Sequence, residues 1–440
     1  AKPAARPATR RVAKKAAKPV VKAAPKVGVK AGHKAAKATK AVAHVKEVKK
    51  EVKAVKKIAA PEVKPAVAKP VAAKPAATKP VATKPVAAKP AAAKPAIAPP
   101  VVEVRPKPTG KLLPRAFMVE LAEAIKAAIL PYVREARGRE VVGSATTGDA
   151  TFEVDRIAEK ALLTFLKNAR MPVAYYSEDS GYTTFTNTQP QNLLIIDPID
   201  GTRAAKSGVE GCVIAIASTR IIERPCMADV DNACVMEIVG DRVFYAERGT
   251  GVRITQGGHQ KRQKLSKNDD LETLVWSMTV PARPAEIIFP VAARLIDLSS
   301  LKGGFFACNS TSFSLTRLVT NQLDACVDIA NRFIRDIPGL VKDQFINSGR
   351  GTVIGIAPYD MVAALLIAEE AGCVVTDAYG KKFDDVLLLD TAEENHRSMI
   401  AAANHALHAK LVQYFDMRIK QWEHLLRVRA ERAAARAEAH

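Results

Sequence analysis

The sequence predicts an α/β fold for the chain beyond about residue 110, behind a tail that cannot build a core. Three observations carry this prediction. The apolar run Leu193-Leu194-Ile195-Ile196 reads as a buried strand. Residues 116–136 and 360–371 place apolar residues at helical spacing. Residues 213–247 hold several β-rich runs close together, which suggests antiparallel pairing in the first half.

The tail, residues 1–110, is built mainly of Ala, Lys, Pro and Val and contains 16 of the 27 prolines. From Lys69 a Lys-Pro pair recurs every five residues, to Lys94, which favours an extended path over a helix. With no aromatic residue before position 111 there is nothing to collapse, and disorder is the expectation. Residues 41–60 are the exception. Val45, Val48, Val52, Val55 and Ile58 recur at helical spacing among lysines, a pattern able to form a basic amphipathic helix on an anionic surface.

The ordered part begins near Lys111. Phe117, Leu121, Ile125 and Ile129 predict a first helix, bent or ended by Pro131, and Asp155–Ala169 a second. Strands are expected at 172–177, 192–197, 212–218, 226–230, 242–247 and 324–329, and a helix after Pro290. Asp360–Ala371 predicts an apolar helix closed by Gly372, leading into a strand at Cys373-Val374-Val375-Thr376. Residues 403–440 read as a final helix or two, projecting from the body after Arg427. The expected divisions are therefore 1–110, the basic tail; 111–270 and 271–410, the two halves of the body; and 411–440, a helical extension.

Charge is unevenly divided. Residues 1–110 carry 28 Lys and Arg against four acids, a net of +24, and the remaining 330 residues carry 39 against 41, a net of −2. An anionic partner is thus expected of the tail alone, where DNA, RNA or another polyanion would be held by counterion release without sequence preference. The six cysteines are irregularly spaced and mostly flanked by apolar residues, so buried free thiols in a reducing compartment are expected. The eight histidines show no ligand spacing, and zinc is not expected. No apolar run is long enough to span a bilayer and the start lacks a secretory or transit pattern, so a cytoplasmic protein is expected, with the tail as a route to nucleoid or chromatin.

The chemistry concentrates where elements end. Asp197-Pro198-Ile199-Asp200-Gly201-Thr202 follows the buried strand and brings two carboxylates, three residues apart, to its end. Such a strand end suits a hard divalent cation, and the Gly-Thr backbone suits a phosphate, so metal-assisted hydrolysis of a phosphate ester is expected. Three further acidic segments stand at element ends: Gly148–Asp155, Ser177-Glu178-Asp179-Ser180 and Pro358-Tyr359-Asp360. Asp360 also occupies a position where Asp serves simply as a helix cap.

Taken together, these segments resemble the inositol monophosphatase superfamily of magnesium-dependent, lithium-sensitive phosphatases, which includes fructose-1,6-bisphosphatases and 3′-nucleotide phosphatases. Asp197–Thr202 is similar to its first signature, and Asp360 with Ala363-Ala364 and Glu370-Ala371-Gly372 to its second. The match runs over about 115–410, and the tail resembles linker-histone tails in composition. The resemblance implies a five-layer αβαβα sandwich, and homodimers are common in the family. It implies that Glu178, Asp197 and the Ile199 carbonyl hold one Mg²⁺ and that Asp197, Asp200 and Asp360 hold a second. A third, weaker ion would lean on Glu178. Asp155 and Thr202 would orient and deprotonate the attacking water, and the backbone of Gly201 and Thr202 would receive the phosphate.

The departures bear on the substrate. Tyr359 stands where the family usually has Trp, a packing change. Arg203 replaces a small polar residue and would either contact a second anionic group or pair with a surface acid. Val353 stands where inositol-selective members carry a Glu, which favours a broader sugar phosphate over inositol phosphate. Asn309-Ser310-Thr311-Ser312 lies where the family places a loop near the substrate, able to contact a ligand or to cap the next helix. The resulting expectation is a Mg²⁺-dependent phosphomonoesterase acting on a sugar phosphate, a bisphosphate, an inositol phosphate or a 3′-phosphonucleotide. The rival from another class is a nucleic-acid-associated architectural protein that works through its tail.

Overall fold

The computed structural model describes residues 107–133, 141–144, 150–184 and 188–438. The expectations for residues 1–106, including the helix at 41–60 and the polyanion-binding tail, lie outside the described residues, as does Asp149.

Helices α1 (Arg115–Ile129) and α2 (Glu153–Ala169) flank a short hairpin, β1 (Val141–Ser144) and β2 (Ala150–Phe152). A large sheet follows, made of β3 (Val173–Ser177), β4 (Gly181–Thr184), β5 (Asn192–Asp200), β6 (Val213–Thr219), β7 (Asn232–Glu237), β8 (Arg242–Glu247), β9 (Val252–Gln256) and β10 (His259–Lys261). Its order is β10-β9-β8-β7-β6-β5-β3-β4, antiparallel except for the parallel pair β3–β5. The second sheet is formed by β11 (Val275–Thr279), β12 (Gly304–Cys308), β13 (Ala325–Asp328), β14 (Val374–Thr376) and β15 (Met399–Ala402), in the order β12-β11-β13-β15-β14.

Side-chain alternation along the central strands generates the layers. On β5, Leu194 and Ile196 face a core shared with α1 and α2, whereas Leu193 and Ile195 face the core beneath α5 (Thr311–Val319) and α8 (Pro358–Ala371). On β13 and β15, Cys326 and Ala401 face that same middle core, whereas Ala325, Val327, Ile400 and Ala402 face an outer one. The outer core is covered by α4 (Ala285–Ser299), α6 (Ala330–Asp336), α7 (Pro338–Ser348) and the 34-residue α9 (His405–Glu438). Helices, sheet, helices, sheet and helices make five layers, the architecture implied by the resemblance. Helix α8 is buried nearly all round, which explains its apolar run, and Gly372 ends it at φ +95°.

Several expectations need correction. Residues 226–230 are not a strand: Met227–Asp229 form a 3-10 turn, with the Asp229 carboxylate accepting from the Cys226 backbone at 2.9 Å, and the strand lies at β7. Pro290 sits inside α4 rather than before a helix. Arg418 of α9 donates to the Pro290 carbonyl at 2.9 Å, so this turn is anchored by a neighbouring helix. The first helix closes in a 3-10 turn that contains Pro131. All six cysteines are free, five of them buried. Among the described residues no helix is long and apolar enough to cross a membrane.

Candidate active site

The bend in β5 explains how two aspartates three residues apart serve one site. In an unbroken strand, residues i and i+3 face opposite sides of the sheet. Here Asp197 pairs with Ala215 and Asp200 with Val213, so three steps on β5 match two on β6. One extra residue is accommodated as a bulge at Pro198-Ile199. Ala215 and Val213 both face the middle core, and their partners Asp197 and Asp200 are thereby turned to the face covered by α5 and α8. Ile199 turns the other way, into the core beneath α1 and α2. Gly201 then takes φ +95°, where an added Cβ would lie 2.5 Å from the Gly211 carbonyl oxygen, so the turn admits only glycine.

Both aspartates are buried, Asp197 4% and Asp200 5% exposed. Burial pushes the Asp197 carboxyl well above its usual range, and Asp200, Glu178 and Asp360 push it further in the same direction. Burial likewise pushes Asp200 up to about 6, opposed by hydrogen bonds from Ser312, Ser310 and Thr311. The Ser312 backbone N–H donates to Asp200 Oδ2 at 2.6 Å, and Ser312 Oγ donates to the Asp360 carbonyl at 2.8 Å. A single residue at the start of α5 therefore ties the end of β5 to the start of α8. Asp360 Oδ2 accepts from the Ala357 N–H at 2.7 Å, so the capping role expected for this residue is present.

Two adjoining cavities meet at Glu178. An open cleft of about 520 Å³ is lined by Glu178, Asp200, Asp360, Arg203, Asn309 and Arg283, among others. A smaller one of about 230 Å³ is lined by Asp155, Glu159, Glu178, Asp179, Asp197 and Ile199. Thr202 Oγ1 lies 3.0 Å from Asp155 Oδ1 and 3.1 Å from the Ile199 carbonyl. Asp155 Oδ2 accepts from the Phe152 N–H at 2.7 Å, which fixes the carboxylate at the start of α2.

The expected site residues are thus brought to one region, with two qualifications. Ser310 does not face the cleft: it is 1% exposed and caps α5 by accepting from the Phe313 N–H at 3.0 Å, while Asn309 and Thr311 form the wall. Nor do the acids form a finished cage. Among the described residues no three of them close on one point. Asp197, Asp200 and Asp360 each have an oxygen on a backbone N–H, of Ile199, Ser312 and Ala357. The all-oxygen, anionic donor set nevertheless fits Mg²⁺, which binds through a few carboxylates and retains several waters. The helix after Gly201, α3 (Thr202–Ala205), is a single turn and brings little dipole to an anion.

Sequence reasoning missed Thr279, Pro281, Arg283 and Gly355 on the cleft wall. Three of these follow or end β11, a strand that was not predicted, so nothing in the sequence marked them. Arg283 is bound to buried Asp328 at 2.8 Å.

A profile of the inositol monophosphatase family matches residues 115–420. The chain belongs to the inositol monophosphatase family. Its family assignment agrees with the solved structures it resembles. A SuhB extragenic suppressor protein from Bartonella henselae has a TM-score of 0.50 at 19% identity, covering 68% of this chain and 97% of that one. An inositol monophosphatase from Thermotoga maritima has a TM-score of 0.50 at 19% identity, covering 70% and 98%. These establish the fold. Among curated relatives, a bifunctional NADP phosphatase/NAD kinase from Methanococcus maripaludis is 24% identical over 311 residues, 68% of this chain, and the match spans about half (49%) of that protein. A fructose-1,6-bisphosphatase/inositol-1-monophosphatase from Methanothermobacter thermautotrophicus is 22% identical over 308 residues, 68% of this chain and 95% of the relative.

Proposed function

We propose that the protein is a Mg²⁺-dependent phosphomonoesterase acting on a small sugar phosphate, bisphosphate or inositol phosphate. The observation that carries this reading is the bulge in β5, which turns two buried aspartates toward Glu178 and Asp360. Glu178, Asp197 and the Ile199 carbonyl would hold one ion, and Asp197, Asp200 and Asp360 a second. When bound, such ions acidify water and neutralise charge on the leaving oxygen. The chain's own residues do the rest. Thr202 Oγ1 orients the attacking water, and its proton passes through that oxygen to Asp155 Oδ1, 3.0 Å away. The Phe152 N–H on Oδ2 keeps the accepting carboxylate in place. Backbone N–H groups of Gly201 and Thr202 receive the phosphate, and Asn309 and Arg203 on the cleft wall contact the rest of the substrate.

Val353 packs in the outer core where inositol-selective relatives carry a Glu, so that carboxylate is missing, which favours sugar phosphates over inositol phosphate. The basic residues 1–110 would serve as an additional polyanion-binding arm. The test is phosphate release from sugar phosphates, bisphosphates, inositol phosphates and phosphorylated nucleotides, in Mg²⁺ and in EDTA. Metal-dependent release from at least one class is expected; none from any class ends the reading.

A further inference from the structure

Among the described residues, α9 buries no side chain beyond Val428. Leu407, His408, Leu411, Phe415 and Ile419 are its buried residues, and Trp422 and Leu426 still pack partly against the outer core. From Arg429 to Glu438 every residue is exposed. Alanine supplies the helix propensity there, and the packed part supplies the nucleus that ten isolated residues would lack.

Charge along this free helix is sorted by face. At 100° per residue, Arg429, Arg432 and Arg436 fall within about 60° of arc. Glu431 and Glu438 lie on the opposite side, together with Arg427. The arginine row rises about 4.5 Å and then about 6 Å along the axis. Arg429 lies over the Trp422 ring at 5.4 Å from its centroid, which orders the first guanidinium of the row. The helix C-terminus favours cations in its last turn, where Arg436 stands, so the row persists in the helix while Arg432 and Arg436, four apart, concentrate positive charge on one face.

We infer that this arginine face binds the phosphate backbone of a nucleic acid, outside the cleft. The chemistry selects among anionic partners. A membrane-surface helix needs an apolar face, and after Val428 no apolar residue larger than Ala is present. A protein interface centres on anchors packed into a desolvated pocket, and this fully exposed stretch carries no aromatic one. Guanidinium groups spaced along one face suit a string of phosphates.

The experiment uses the full 440-residue chain. Binding to one oligonucleotide, single-stranded and as a duplex, is measured across a salt series for the wild type and for the triple variant Arg429→Gln, Arg432→Gln, Arg436→Gln. A control triple, Lys160→Gln, Lys167→Gln, Lys261→Gln, removes the same charge from exposed sites elsewhere. Each lost phosphate contact flattens the slope of log Kobs against log[salt] by about 0.7 on single strands and about 0.9 on duplex, so the arginine variant should lose about 2 and about 3 respectively. The control should keep the wild-type slope. Gln is a good helix former, and circular dichroism should show helix content unchanged in the variant. Wild-type slopes in the arginine variant overturn the proposal. So does equal flattening by the control.

Discussion

Two sets of buried carboxylates in this protein differ in what neutralises them. Asp328 is 1% exposed and bound to Arg283 at 2.8 Å; Glu237 is 7% exposed and bound to Arg317 at 2.6 Å. Each brings its own cation. Asp197 and Asp200 are buried as deeply, but the side-chain charges that act most strongly on Asp197 are three more carboxylates. Asp328 and Glu237 are each held by an arginine, whereas around Asp197 carboxylates crowd one another, a crowding that a bound cation would relieve. The contrast, more than any single motif, separates a cation-binding site from ordinary buried polarity.

The sharpest way to break the comparison is to remove a carboxylate from each set. Asp200→Asn should lower phosphate release by about 10³-fold or more, an effect of about 4 kcal/mol on the barrier, while leaving the metal-free fold intact or firmer. Near-normal turnover would take Asp200 out of the chemistry. Arg317→Ala should do the reverse. It removes the nearer cation of Glu237 and leaves Arg242 at 3.5 Å, at a cost of about 1.5–3 kcal/mol, read as a lower denaturant midpoint, and Glu237→Gln in the same chain should recover part of it.

Protons sharpen the comparison. Burial holds Asp200 at about 6, above its ordinary 3.8, so between those values the folded protein binds this proton more tightly than the unfolded chain does. The linked stability is fully present below about pH 4 and is lost as pH rises through about 6. In EDTA the stability difference between wild type and Asp200→Asn should therefore change by about 1–3 kcal/mol from pH 4.5 to 7.5, in the direction that penalises the wild type at high pH. Saturating Mg²⁺ should abolish that penalty, since the ionised carboxylate is the form a cation binds. An identical pH dependence with and without Mg²⁺ would erase the distinction between the two sets.

Much of this was readable in the sequence, for physical reasons that can be named. The Leu193–Ile196 run and the apolar helix 358–371 announced themselves because both are buried on every side, and the acids of the site stand at the ends of those elements. The bulge was not readable. It depends on the register against β6, a long-range pairing that leaves no local trace. Strands β11, β12 and β15 were missed although β13 and β14 of the same sheet, which are no longer, were expected; the run at Cys373–Thr376 was marked by the helix and glycine before it, and β11, β12 and β15 have no such lead. With β11 unseen, the arginine that follows it at 283 could not be placed on the cleft. Strand β7 was displaced by six residues because Cys226–Val230 carries the same apolar composition as Asn232–Glu237. The capping hydrogen bond of Asp229 tells them apart, and composition does not record it.

Ser312 offers the smallest and most specific test of the same contrast. Its N–H holds one oxygen of Asp200 and its hydroxyl holds the Asp360 carbonyl, so it links two presumed ligands of one ion without touching substrate. Ser312→Ala keeps the backbone bond to Asp200 and deletes what the hydroxyl contributes to the Asp360 carbonyl and to the Asp200 carboxylate. The residue is fully buried, and the lost hydroxyl leaves the Asp360 carbonyl short of a donor, at a cost of about 1 kcal/mol. If Ser312 only stabilised α5, that cost would appear as a lower melting temperature with an unchanged Mg²⁺ requirement. If it sets the distance between Asp200 and Asp360, the Mg²⁺ concentration for half-maximal activity should rise about fivefold, since 1 kcal/mol is about a factor of five, while kcat at saturating Mg²⁺ stays near wild type. Ser312→Thr keeps the hydroxyl and should restore the Mg²⁺ requirement even where the extra methyl lowers stability. A variant series in which metal requirement and stability moved together would assign Ser312 to the framework.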